Sequence, residues 1–191
     1  LERLEDLQCL LVHKVLRVNI PANRIVALGI LHRAPADERP RDRLGQFATT
    51  LMDRTVSVAI GVNERESERP GSLYNTLLLL GPDGVELKHR KLVPTHQERL
   101  FHGFGAGDDL GVAETPVGRV GGLICWENRM PLARWAVYQG GPQIWVAPTA
   151  DDSDGWQASM RHIAIESGAY VVSVPQYIPG SAFPDDFPVE I

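Results

Sequence analysis

The stretch at residues 120–139, VGGLICWENRMPLARWAVYQ, passes from an apolar run into a helical pattern, and a second apolar run, QIWVA at 143–147, follows it. Strand, helix and strand in that order, with no hairpin turn between the strands, demand a crossover connection, which points to an α/β sheet containing parallel strands. Within the stretch, residues 120–124 read as a buried strand and 130–139 as a helix, with Asn128 as a candidate N-cap and Pro131 acceptable in the first turn. Cys125 falls on the corner between them. A thiol placed there is a candidate nucleophile, because backbone N–H groups converge and the positive pole of a helix favours a thiolate. A lone cysteine is more often a buried packing residue that does no chemistry.

The rest of the chain fits the same class. Residues 56–61 (VSVAIG) and 73–80 (LYNTLLLL) read as strands, and GPDG at 81–84 is a turn into a strand at 85–89, which makes a hairpin. Residues 91–118 run long without periodicity. Asp152 to Asp154 offer caps for a helix over 155–167, with Trp156, Met160, Ile163 and Ala164 inward and Gly168 as its stop, and 169–174 (AYVVSV) reads as a further buried strand. Upstream, residues 1–18 fit an amphipathic helix and 25–31 (IVALGIL) a short strand, followed by the Arg-, Pro- and Asp-rich loop HRAPADERPRDRLGQ.

With 191 residues, 43% of them apolar, the chain can bury a sizeable core, and a net charge of −5 supplies no basic footprint for nucleic acid or anionic lipid. Two cysteines, Cys9 and Cys125, are too few for a disulfide framework, so a reducing, cytoplasmic setting is expected. No apolar run approaches membrane-spanning length, and LERLED at the start does not resemble a signal peptide. A first residue of Leu rather than Met hints at a fragment.

In open α/β sheets the working residues gather beyond the carboxyl ends of strands. Lys91, Cys125 and the loop APTADD at 147–152 all lie at such ends. A thiolate is stabilised beside an ammonium, which is how a cysteine becomes nucleophilic near neutral pH. A Cys–His pair would instead require His162, yet helical spacing puts His162 on one face with Ser159 and Glu166, away from Trp156 and Met160. Metal-ligand spacings are absent among the six histidines, so no metal is assigned, and GFGAG at 103–107 lacks the strand-to-helix setting of a phosphate loop.

Three segments, HRKLVPTHQER (89–99), TPVGRVGGLICWENRMPLAR (115–134) and APTADDSDGWQASMRHIA (147–164), together with GVNER at 61–65, resemble the nitrilase branch of the carbon–nitrogen hydrolase superfamily over residues 56–177. The resemblance implies an αββα sandwich, here incomplete at both ends, and a Glu–Lys–Cys triad. In it Cys125 matches the nucleophile, Lys91 the family lysine and Glu98 an auxiliary glutamate. Trp126, whose N–H would hold developing charge together with the lysine, and Thr149 are the implied substrate-binding residues. CWEN points to nitriles rather than amides. No cofactor is implied, the partner is a small nitrile or amide, and a homo-oligomer, a dimer or larger, is expected.

The sequence also departs from that pattern. A Phe-Pro-Glu-like segment carrying the general-base glutamate does not occur upstream of Val56; Glu38 lies in DERP, and Glu2 and Glu5 in the first helical pattern. No residue is assigned to that role. The expected division is therefore an atypical segment at 1–54, foreign or out of frame, a hydrolase core at 55–178 and an exposed arm at 179–191. Rival readings are an amidase or carbamoylase, and an inactive remnant or assembly subunit.

Overall fold

The computed structural model describes residues 25–30 and 56–175. The helical pattern at 1–18, the loop after residue 31, the three upstream glutamates and the arm at 179–191 lie outside the described residues. Two four-stranded sheets form the frame. The first runs β1 (Ile25–Ile30), β2 (Val56–Arg65), β3 (Leu73–Gly81), β4 (Gly84–Arg90) in spatial order. The second runs β5 (Val112–Thr115), β6 (Gly118–Gly122), β7 (Ile144–Thr149), β8 (Tyr170–Pro175).

Within the first sheet, β1 and β2 are parallel and β2, β3 and β4 antiparallel. The hairpin expected at GPDG closes with Gly81 opposite Gly84, and Gly84 takes φ 119, a conformation glycine reaches without strain. Register then sorts the side chains. Ala59 pairs with Leu79 and Gly61 with Leu77, so Ala59, Leu77 and Leu79 share the face that meets Ala113, Val120, Ile124 and Val146 of the second sheet. This apolar layer between sheets is one core.

The second core lies on the other face of the second sheet. Trp145, Ala147 and Leu123 meet Ala133 and Val137 of α1 (Pro131–Tyr138) and Trp156, Met160 and Ile163 of α2 (Asp154–Ser167). Each large side chain buried there contributes about 1.5–3 kcal/mol. Both crossovers have the expected form: β6 is parallel to β7 across α1, and β7 to β8 across α2. A close approach at Gly122, where any side chain would collide with the carbonyl of Val146, lets β6 run against β7.

Several boundaries differ from the sequence reading. β6 ends at Gly122, and a 3₁₀ turn over Cys125–Arg129 intervenes before α1, whose N-cap is Met130 with Pro131 in the first turn. Asn128 is thus not a helix cap; its amide is committed to the turn. The helix-pole argument for Cys125 fails accordingly, because α1 starts six residues further on. Residues 91–118, read as irregular, contain the 3₁₀ turn His96–Leu100 and β5. Four-residue β5, VAET, is too short for alternation to register against its glycine-rich surroundings. Ser153 caps α2, accepting from the Trp156 N–H, and Gly168 ends it at φ 69. β8 is an edge strand and only half-buried, not buried throughout.

Candidate active site

Alternation along β4 decides what faces the second sheet. Lys88 and Arg90 point to the outer face, where both engage the buried carboxylate of Glu64. His89 and Lys91 therefore point inward, and both are 1% exposed. The Lys91 Nζ donates to Glu98 Oε2 at 2.6 Å and to Thr95 Oγ1 at 2.9 Å. Glu98 reaches it from the 3₁₀ turn, where its carboxylate also accepts from the Thr95 N–H at 2.6 Å and from Asn75 Nδ2 at 3.3 Å. Partial burial alone would raise the Glu98 carboxyl, but Lys91 and the Thr95 N–H outweigh that and hold it below its usual range.

The loop GFGAG has a structural task. Gly105 N–H donates to the Lys91 carbonyl at 2.9 Å, and a side chain at Gly105 would collide with the carbonyl of Arg90. With the Lys91 N–H bonded to the Asn75 carbonyl at 2.8 Å, the backbone carrying the lysine is fixed from both sides.

Cys125 sits at φ 50, in the left-handed region, a conformation that costs a non-glycine residue about 1–3 kcal/mol and persists only where its surroundings enforce it. Those surroundings are explicit. Asn128 Nδ2 donates to the carbonyls of Leu123 and Cys125 at 2.7 and 2.9 Å, while its Oδ1 accepts from the Trp145 indole at 2.7 Å. Arg134 Nη1 donates to the Asn128 carbonyl at 2.9 Å and its Nε to Glu166 on α2 at 3.0 Å. Cys125 is partly exposed, and its sulfur accepts from the Thr149 hydroxyl at 3.3 Å. Thr149 itself ends β7 and accepts from the Asp151 N–H at 2.9 Å.

One carboxylate joins the two halves. Glu127, 1% exposed, accepts from the Leu92 N–H at 2.7 Å through Oε1 and from the Ile124 N–H at 3.0 Å through Oε2. Leu92 follows Lys91 and Ile124 precedes Cys125, so the ends of β4 and of the segment after β6 are tied to a single side chain. His89 Nε2 lies 3.0 Å from both Glu127 oxygens.

Trp126 is 42% exposed beside this centre, with His96 edge-on at 5.8 Å, Arg129 at 4.6 Å over its ring and Asp151 accepting from its indole at 3.2 Å. His162 lies apart, its side chain 62% exposed, 3.6 Å from Glu166. Among the described residues no cluster of His, Cys, Asp and Glu is placed to hold a metal ion, and no helix is long and apolar enough to cross a membrane.

Comparison with known proteins adds the decisive observation: the carbon–nitrogen hydrolase family model matches residues 28–178. The chain belongs to the carbon–nitrogen hydrolase family. Its curated relatives include an aliphatic nitrilase of Sinorhizobium fredii, 46% identical over 154 residues, covering 81% of this chain and 49% of that protein. Nitrilase 1 of Arabidopsis thaliana is 43% identical, covering 81% of this chain and 44% of the relative. This carbon–nitrogen hydrolase chain thus spans about half the length of the curated relatives it matches. Solved structures agree on the fold. A nitrilase-superfamily protein of Saccharomyces cerevisiae gives TM-score 0.64 at 19% identity, covering 80% of this chain and 55% of that one. A carbon–nitrogen hydrolase of Helicobacter pylori gives 0.62 at 18%, covering 74% and 55%. The fold is the α/β sandwich of that family, and the described residues supply one helical layer and both sheets.

Of the residues singled out in the sequence, the structure brings Lys91 and Glu98 into direct contact and Thr149 onto Cys125. Trp126 flanks the turn, and His162 stands away from the described site. Sequence reasoning missed His89, Asn75, Thr95, Asp109 and Glu127, and read Asn128 only as a helix cap. Alternation along 88–91 was the available signal for His89, since it shares a face with Lys91; nothing local marked the others.

Proposed function

We propose that this chain carries the catalytic centre of a nitrilase-type hydrolase, with Cys125 as nucleophile, Lys91 and Glu98 as its catalytic partners, and Trp126 and Thr149 contacting substrate. The observation that carries the reading is the buried Lys91–Glu98 pair tied through Glu127 to a cysteine held at positive φ. A strained turn that presents a nucleophile, tied through one carboxylate to the strand end that carries a fixed cation, suits acyl-transfer chemistry. The nitrilases among its relatives favour that substrate class.

The chemistry follows. The Cys125 sulfur adds to the nitrile carbon, and the nitrogen takes up a proton to give a thioimidate. Lys91 and the Trp126 N–H hold the charge that develops on nitrogen. Water adds to the thioimidate carbon and ammonia leaves, giving a thioester; a second water releases the carboxylic acid and restores the thiol. Two waters are consumed for each nitrile. The general-base carboxylate has no assigned residue, and its loss, if nothing replaces it, slows turnover by about 10²- to 10⁴-fold. For that reason the second reading, a catalytically silent subunit, rests on the absence of a Phe-Pro-Glu-like segment in residues 1–54.

Ammonia release from a panel of aliphatic and aromatic nitriles and the matching amides, with Cys125→Ala as control, tests the proposal. Cysteine-dependent release from nitriles supports it; release from amides alone makes the chain an amidase. A single equivalent of ammonia, with a thioester on Cys125 that is not hydrolysed, identifies the silent form.

We also infer self-association in a reducing, cytoplasmic setting. Leu132 and Trp135, 83% and 63% exposed one turn apart on α1, favour burial against a second copy. Light scattering of Trp135→Lys beside the wild type tests this, with equal masses counting against it.

A further inference from the structure

His89 sits between two carboxylates. Its Nε2 meets Glu127, and its Nδ1 lies 2.6 Å from Asp109 Oδ1. Carboxylates accept, so both ring nitrogens donate and the ring is the imidazolium form. Among the described residues, the charged groups set against His89 are Asp109, from the loop before β5, and Glu127, from the turn after β6; its neighbours Lys88 and Arg90 face the other way, toward Glu64. Both carboxylates also receive backbone N–H groups at the site. Asp109 Oδ2 accepts from Arg90 at 2.7 Å, and Glu127 accepts from Leu92 and Ile124. The acceptors therefore bracket Lys91 on both sides and reach the residue before Cys125.

We propose that Asp109, His89 and Glu127 form an ionic clamp that fixes the distance and orientation of Lys91 relative to Cys125, acting as positioning residues for the proposed reaction. Buried ion pairs contribute little net stability compared with apolar side chains of similar volume. An apolar trio would fill the space between sheets, but it would leave three N–H groups around the site without acceptors. The clamp satisfies those groups and links two elements that no strand pairing joins directly, since β4 and the segment after β6 belong to different sheets. Burial opposes charge on His89, yet the hydrogen bonds and negative charges of Asp109 and Glu127 overcome it and raise its pKa to about 9. The clamp is thus charged at neutral pH.

The inference rests on the assignment of Lys91 and Cys125 made above, and one experiment separates the two. Cys125 alkylation by iodoacetamide is timed at pH 7.5 in the full chain and in Lys91→Met, His89→Gln, Asp109→Asn and the double variants with Lys91→Met, each checked for native circular dichroism. The wild type should label on the order of 10- to 100-fold faster than Lys91→Met, and His89→Gln should lose most of that advantage, so that adding Lys91→Met changes little. Asp109→Asn, which keeps an acceptor oxygen on a partly exposed residue, should retain more of the advantage and serves if His89→Gln does not fold. A role confined to stability would leave the lysine dependence intact in the folded variants. Full lysine dependence in His89→Gln, or in Asp109→Asn when only that variant folds, with no loss of rate, overturns the clamp while sparing the site. Equal labelling of wild type and Lys91→Met overturns the site itself.

Discussion

The charge on His89 makes stability depend on pH in a calculable way. Its pKa rises from 6.5 in the unfolded chain to about 9 in the folded one, so the native state binds the proton more tightly. At about 1.4 kcal/mol per unit, the shift corresponds to about 3 kcal/mol. Because the folded value is the higher, that stabilisation is fully present below the unfolded value of 6.5 and is lost as pH rises through about 9. Asp109, held below its usual range, remains ionised across the window. Urea unfolding followed by tryptophan fluorescence at pH 6 and pH 9.5, on the wild type and His89→Gln, isolates the contribution, because other titrating groups are common to both. The wild type should lose about 3 kcal/mol more than the variant between the two pH values. Parallel losses would refute the ionised histidine and the double carboxylate contact on which it depends.

Three further outcomes follow from the same geometry. Asn128→Leu removes two donors to the turn and strands the buried Trp145 indole, and should cost about 2–4 kcal/mol in urea unfolding while slowing Cys125 alkylation in whatever fraction stays folded. Gly122→Ala drives a methyl group into the Val146 carbonyl and should destabilise by about 1–3 kcal/mol, read from the thermal midpoint; an unchanged midpoint would mean that β6 and β7 are not so closely apposed. Thr149→Val keeps the shape but deletes the hydroxyl that donates to sulfur, and should lower the alkylation rate several-fold with stability changed by about 1 kcal/mol or less.

How much of this was legible in the letters depended on range. The strands read at 56–61 and 73–80, which run on to Arg65 and Gly81, the GPDG hairpin and α2 all declared themselves, because apolar period, turn residues and caps lie within a few positions of one another. The turn after β6 did not. Residues 125–129 hold their shape through Asn128, Glu127 and Arg134, whose partners are as far off as Leu92, Trp145 and Glu166, and no window of sequence contains such contacts. Cys125 and Lys91 were found from their places at strand ends and from resemblance. Glu127, in the same CWEN motif, gave no sign that it would be buried against His89, since a lone glutamate in a turn is ordinarily solvated. β5 was missed for a different reason, being four residues between glycine-rich segments whose pairing with β6 decides its state.

The central claim is that Lys91 makes Cys125 a nucleophile. The most direct measurement is the rate at which iodoacetamide modifies Cys125 in the wild type and in Lys91→Met, by intact mass at neutral pH, with Cys125→Ala to subtract modification elsewhere. A rate at least about tenfold higher in the wild type is the predicted result. Equal rates in two equally folded proteins would contradict it.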